Sequence, residues 1–171
     1  GRFTSSNRAK ELSLLCYFLG MNLLQEACAG FANTLQRLDE MHEQVFEESL
    51  AMLSKCVNAD GKILIFGNGG SAADAQHFAA ELVSSLHGSP LPRPIAAISL
   101  STDTSVLTAI ANDTDFANSF DRQVEALGRS PDVAIGLSTS GRSENVIRGL
   151  AKAQQIGMAT LAVCGEGGMA R

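Results

Sequence analysis

The chain has 171 residues, 45% hydrophobic, 18% charged and 5% aromatic, and its 13 Lys plus Arg against 18 Asp plus Glu leave a net charge of −5. That length suits one domain, which buries about 70% of its unfolded surface and needs no disulfide or metal staple. A net acidic balance argues against a general binder of nucleic-acid backbones, and the apolar content argues against intrinsic disorder.

Residues 1–20 differ in character from the rest. Arg2, Arg8 and Lys10 precede an apolar-leaning run, Leu12–Leu24, that is interrupted by Ser13, Gly20 and Asn22. The run is shorter than the about 20 apolar residues of a membrane span, and the weak signal-peptide pattern lacks a convincing small-residue cleavage site. Since the chain opens Gly-Arg, Met21 is a candidate natural start, and residues 1–20 are expected to be vector-derived or an extra helix. Cys16, Cys28, Cys56 and Cys164 show no CxxC or zinc-finger spacing, which predicts reduced thiols acting as small core residues in a cytosolic setting.

From Cys28 to Val57, apolar residues (Phe31, Leu35, Leu38, Val45, Phe46, Leu50, Leu53, Val57) recur at three- to four-residue steps, predicting one long amphipathic helix or a pair. Asp60-Gly61 signals a turn. Lys62–Phe66 then reads as a strand buried on both faces, followed by the loop Gly67–Ser71, a helix to about Leu86 and a proline-rich loop, His87–Pro94. Ile95–Leu100 predicts a second strand, with Ser101–Thr104 and a short helix after it. Phe116–Leu127 predicts a helix, Asp132–Leu137 a third strand, Ser138–Ser143 a loop with a helix through Gln155, and Ala159–Cys164 a fourth strand ending in Gly165–Gly168. Apolar strands alternating with helices call for right-handed crossovers and a parallel sheet covered on both faces, with ligands held beyond the carboxyl ends of its strands.

Both Gly/Ser loops fall at that edge. In Gly67-Asn68-Gly69-Gly70-Ser71 the glycines let backbone approach a ligand, while the next helix points unpaired N–H groups at it. Gly67, Gly69 and Ala72 also fit a dinucleotide fingerprint, but the acidic residue that pattern requires about 20 positions on is absent, Asp103 lying much too far away. A ligand-free tight turn is the plain alternative. Ser138-Thr139-Ser140-Gly141-Arg142-Ser143 is the more specific signal: hydroxyls and helix-start amides hold a phosphate monoester without a P-loop lysine. Ser143 is in addition a natural N-cap, and capping accounts for only one of these serines.

His77 and Glu81, four apart, share a helix face with Asp74, beside an apolar stripe of Ala75, Phe78, Ala79 and Leu82. An imidazole and a carboxylate so spaced bind one metal or place the carboxylate as a base, although an ordinary surface pair has the same spacing. Asn112-Asp113 ends a short helix, as a turn or as a partner for sugar hydroxyls. His42 is expected to be structural and His87 solvated.

At these residues the chain resembles the SIS (sugar isomerase) domain family and, more narrowly, the phosphoheptose isomerases. The resemblance rests on GNGGSAADAQHFAAELV (Gly67–Val83), STDTSVLTAIAND (Ser101–Asp113), RQVEALG (Arg122–Gly128) and STSGRSENVI (Ser138–Ile147), in a stretch running from about Met21 to Arg171. It implies a three-layer α/β/α sandwich with a central parallel sheet, a cytoplasmic homotetramer with active sites at subunit interfaces, and interconversion of sedoheptulose 7-phosphate and D-glycero-D-manno-heptose 7-phosphate through an enediol, in heptose biosynthesis for lipopolysaccharide. It implies neither nucleic acid nor membrane as partner. Carried over by position, Asn68, Gly69, Gly70 and Ser71 bind substrate, Asn112 and Asp113 contact the sugar chain, and Ser138, Thr139, Ser140 and Ser143 hold the phosphate. Glu81 matches the catalytic base, and His77 with Glu81 matches zinc ligands in metal-bearing members, one ion per subunit.

The family continues past the fourth strand with a further strand and a long helix that bring a Gln and a His. Neither His42 nor His87 matches that His, so residues 21–171 are expected to form a C-terminally incomplete SIS domain: folded but inactive and metal-poor if it is the whole molecule, the alternative being a tail that this sequence lacks. Two other classes share the fold: an adaptor that binds the bacterial replication initiator protein, and a regulatory module that binds a phosphosugar without converting it. Adaptors tend to lack the carboxylate at position 81 and to alter the glycine pair, whereas Glu81, Gly69, Gly70 and Asp74 are all present here.

Overall fold

The computed structural model describes residues 22–41, 43–84, 94–165 and 167–169, with residues 22–24 and 37–41 described by backbone only. Residues 1–20, Met21, Cys16, His42 and most of the expected loop from His87, including His87 itself, lie outside the described residues. The chain divides into two compact units, residues 1–47 and 48–171. In the first lie α1 (Asn22–Met41) and the beginning of α2 (Glu43–Asn58), so the amphipathic stretch is a helix pair.

The second unit continues through β1 (Ile63–Gly67), α3 (Gly70–Ser84), β2 (Ala97–Ser99), α4 (Thr104–Asp113), a 3-10 turn (Phe116–Asn118), α5 (Asp121–Leu127), β3 (Val133–Ser138), α6 (Glu144–Gln155) and β4 (Ala159–Cys164). The four strands are all parallel, in the order β2-β1-β3-β4. Register pairs Ile63 with Val133 and Phe66 with Gly136 at the sheet centre, and Leu137 with Val163 towards the carboxyl edge.

Alternation along the strands explains their unbroken apolar runs, because both faces are covered. Ile63, Ile65, Val133 and Ile135 point to one side and pack with Cys56 of α2 and Ala75 and Ala79 of α3. Leu64, Phe66 and Ala134 point to the other, against Phe120, Val124, Val146, Leu150 and Ala153. Phe66 and Phe120 stack at 5.1 Å between ring centroids. These two cores make the three-layer α/β/α sandwich.

Three expectations are corrected. The strand expected over Ile95–Leu100 shrinks to Ala97–Ser99, since the Ile95 amide donates to the Leu82 carbonyl of α3 at 2.9 Å and draws the approach off the sheet. The helix expected over Phe116–Leu127 is broken: Asp115 caps the 3-10 turn through the Ala117 amide, and the break lets buried Ser119 and Phe120 face inward. Of the thiols, Cys56 is a core residue, but Cys28 is exposed and Cys164 half-buried.

Candidate active site

A cavity of about 730 Å³ opens at the carboxyl edge of β3 and β4, walled on one side by α3. Its polar groups are Ser71, Asp74, His77 and Glu81 from α3 and Ser138 and Thr139 from the end of β3. Between them lies apolar wall, including Phe78, Leu82, Leu137 and Val163, with Cys164 and Gly165 closing the β4 side. Asp74, His77, Phe78, Glu81 and Leu82 can all face one space because helical steps of three and four share a face. The His77 imidazole Nε2 stands 3.8 Å from Glu81 Oε1, with His77 78% exposed and Glu81 32% exposed.

The first loop presents bare backbone. Gly69 has φ +55°, in the left-handed region that favours glycine, and no atom lies within 4 Å of where a side chain would stand at Gly69 or Gly70. A ligand therefore finds peptide groups there unscreened by side chains. The loop is clasped from below by Ser101, whose hydroxyl donates to the Gly67 carbonyl at 3.0 Å. Asp103, the acidic residue weighed for a dinucleotide site, instead caps α4 by accepting from the Val106 amide at 3.0 Å.

In the second loop, Ser143 occupies the N-cap position of α6, yet its hydroxyl makes no cap bond; it pairs with the Ser138 hydroxyl at 2.9 Å. The two hydroxyls thus form one polar edge beside an uncapped helix start, an arrangement that suits an anion. The Ser140 hydroxyl accepts from the Arg142 amide at 3.2 Å, holding the loop's tip. The turn after β4 supports this loop, with the Gly165 amide donating to the Thr139 carbonyl at 3.1 Å.

The structure thus brings Ser71, His77, Glu81, Ser138 and Thr139 to one wall. Asn68, Gly69, Gly70, Ser140 and Ser143 belong to the same two loops without forming that wall. Asn112 and Asp113 stand apart: both are exposed at the end of α4, and Asn112 Nδ2 donates to Asp113 Oδ1 at 2.8 Å. Residues not singled out by sequence reasoning also matter here, chiefly Ser101, Cys164 and Asn145. Asn145 had one signal, an amide on the buried stripe of α6 that otherwise carries Val146, Gly149, Leu150 and Ala153.

His77 and Glu81 fit as two donors to a metal. Among the described residues no third His, Cys, Asp or Glu joins them in a cluster, so these side chains alone do not close a tetrahedral set.

The comparisons with known proteins converge on one family. The family model described as SIS domain matches residues 28–165. A phosphoheptose isomerase of Helicobacter pylori is 48% identical over 86% of this chain and 76% of its own length, and one of Aquifex aeolicus 51% identical over 75% and 66%. The solved structure of phosphoheptose isomerase GmhA from Neisseria gonorrhoeae superposes with a TM-score of 0.73 at 42% identity, covering 84% of this chain and 76% of that one. The chain thus spans about two thirds to three quarters of the length of these relatives. It belongs to the SIS domain family and, within it, to the phosphoheptose isomerases, which are aldose–ketose isomerases of sugar phosphates.

Proposed function

We propose that this cavity holds sedoheptulose 7-phosphate and that the protein interconverts it with D-glycero-D-manno-heptose 7-phosphate in the cytoplasm, supplying heptose for lipopolysaccharide. The observation that carries the reading is the convergence of a hydroxyl-rich, phosphate-type loop and the His77/Glu81 pair on one cavity. Ser138, Thr139, Ser140 and Ser143 hold the phosphate by hydroxyls and the start of α6, while Asn68, Gly69, Gly70 and Ser71 bind the sugar chain. Glu81 removes a proton from the carbon beside the carbonyl while the carbonyl oxygen gains one, giving an enediol; a proton delivered to the former carbonyl carbon and loss of the neighbouring hydroxyl proton complete the exchange. The partly buried setting of Glu81 suits a base that must meet substrate away from bulk water.

His77 and Glu81 are the residues that would hold a zinc ion, and such an ion would polarise the substrate oxygens. Asn112 and Asp113, exposed and off the wall, would reach sugar in an assembly with interfacial sites. Apolar residues left exposed, Phe31 and Leu35 on α1 and Val45, Phe46 and Leu50 on α2, support a homotetramer.

Binding is the first test, because the serine and glycine loops proposed to grip the substrate both lie within residues 67–143. Sedoheptulose 7-phosphate should raise the melting temperature of the chain and of Glu81→Gln alike. Where turnover is measurable, Glu81→Gln should lower kcat at least about 100-fold. A chain that sedoheptulose 7-phosphate neither stabilises nor reaches as substrate would overturn the proposal.

A further inference from the structure

The glycine loop and the start of α6 are joined by one amide pair. Asn145, second residue of α6 and 3% exposed, accepts from Asn68 Nδ2 at 2.8 Å and donates back to Asn68 Oδ1 at 2.9 Å. Its second N–H donates to the Ser119 hydroxyl at 3.0 Å, so the Asn145 side chain is committed on three sides. A buried amide is tolerated only when it is satisfied, and an apolar residue would fill the same stripe of α6 without that requirement. Packing alone therefore does not account for it.

The consequence falls on Asn68. Two reciprocal bonds to one partner fix the plane and the rotation of its amide, while one N–H and spare acceptor capacity remain on a half-buried side chain at the glycine loop. We infer that Asn145 is a positioning residue, which presets the Asn68 amide for the sugar by anchoring it to the start of α6. The inference rests on the proposed role of Asn68 as a substrate contact. Preorganisation of this kind lowers the ordering cost of binding.

A double-mutant cycle in the full chain tests it, with calorimetric titration of two probes, sedoheptulose 7-phosphate and inorganic phosphate. Asn145→Leu should weaken the heptose phosphate about tenfold, the scale of one neutral hydrogen bond. In the Asn68→Ala background the same substitution should change affinity less than about twofold, because its effect runs through Asn68. Inorganic phosphate, which needs only the serine loop, should bind equally well across the cycle. Should Asn145→Leu not fold, Asn145→Ala, which removes the same three bonds without adding bulk or charge, carries the same cycle. Losses that multiply in the double variant, or that fall equally on inorganic phosphate, would reduce Asn145 to a structural residue and overturn the inference with the function intact. A parent chain that binds inorganic phosphate but not the heptose phosphate would instead overturn the functional reading, and with it the sugar contact on which the role of Asn145 depends.

Discussion

At Gly141 two constraints coincide. Its φ of +64° lies in the left-handed region, and a side chain there would run into the Gly168 carbonyl of the turn after β4. Gly141→Ala should therefore destabilise by at least about 2 kcal/mol in urea titration and weaken inorganic phosphate binding as the serine loop shifts. An unchanged midpoint would mean that the turn moves freely away from the loop. The serines of that loop were legible in the sequence because hydroxyl density between a strand and a helix is unusual chemistry. The Gly168 contact was not, because it joins residues whose approach depends on how β4 lies beside β3. Asn68 was singled out for its place in the glycine loop. Its partner lies 77 positions away, a separation that no local pattern encodes.

Among the elements, β1 and β3 are pinned at their amino ends by Asp132. Its buried carboxylate accepts from the backbone amides of Lys62 and Arg129, at 2.9 and 2.8 Å, and pairs with the Lys62 ammonium. Asp132→Ala leaves these donors unpaired and should cost about 3 kcal/mol. Nearby, burial pushes the Cys56 thiol of α2 above the ordinary value of 9.0, and the Asp132 charge adds to the shift. A thiol that holds its proton more tightly when folded stabilises the fold fully below its unfolded value and loses that contribution as pH rises through the folded one. The melting temperature should thus fall above about pH 9 more steeply in the parent than in Cys56→Ala. Thiol titration at neutral pH should label Cys28 well before Cys56, since burial and a raised pKa both suppress the thiolate. Helices were readable from periodicity and strands from their unbroken apolar runs, whereas the broken helix at Ser119–Phe120 was not. The residues there keep a helical spacing, and the Asp115 cap and the inward turn of Phe120 decide the break.

For the molecule as a whole, the apolar side chains left exposed on α1 and α2 carry the proposal of assembly. Sedimentation should give a particle of about four times the 18.0 kDa chain mass, and Phe46→Glu should lower it without unfolding the sheet. A parent that sediments as a monomer would remove the interfacial route by which Asn112 and Asp113 reach substrate. By itself the sequence of 171 residues determined the layer architecture and the positions of both Gly/Ser loops, because buried parallel strands demand unbroken apolar runs and glycines and hydroxyls mark the turns at their ends. Only the tertiary structure decided that Glu81 and Ser138 share a cavity, that Ser143 pairs with Ser138 rather than capping its helix, and that Asn145 holds Asn68. Each of these depends on the register and spacing of separate elements, which packing sets and local sequence does not.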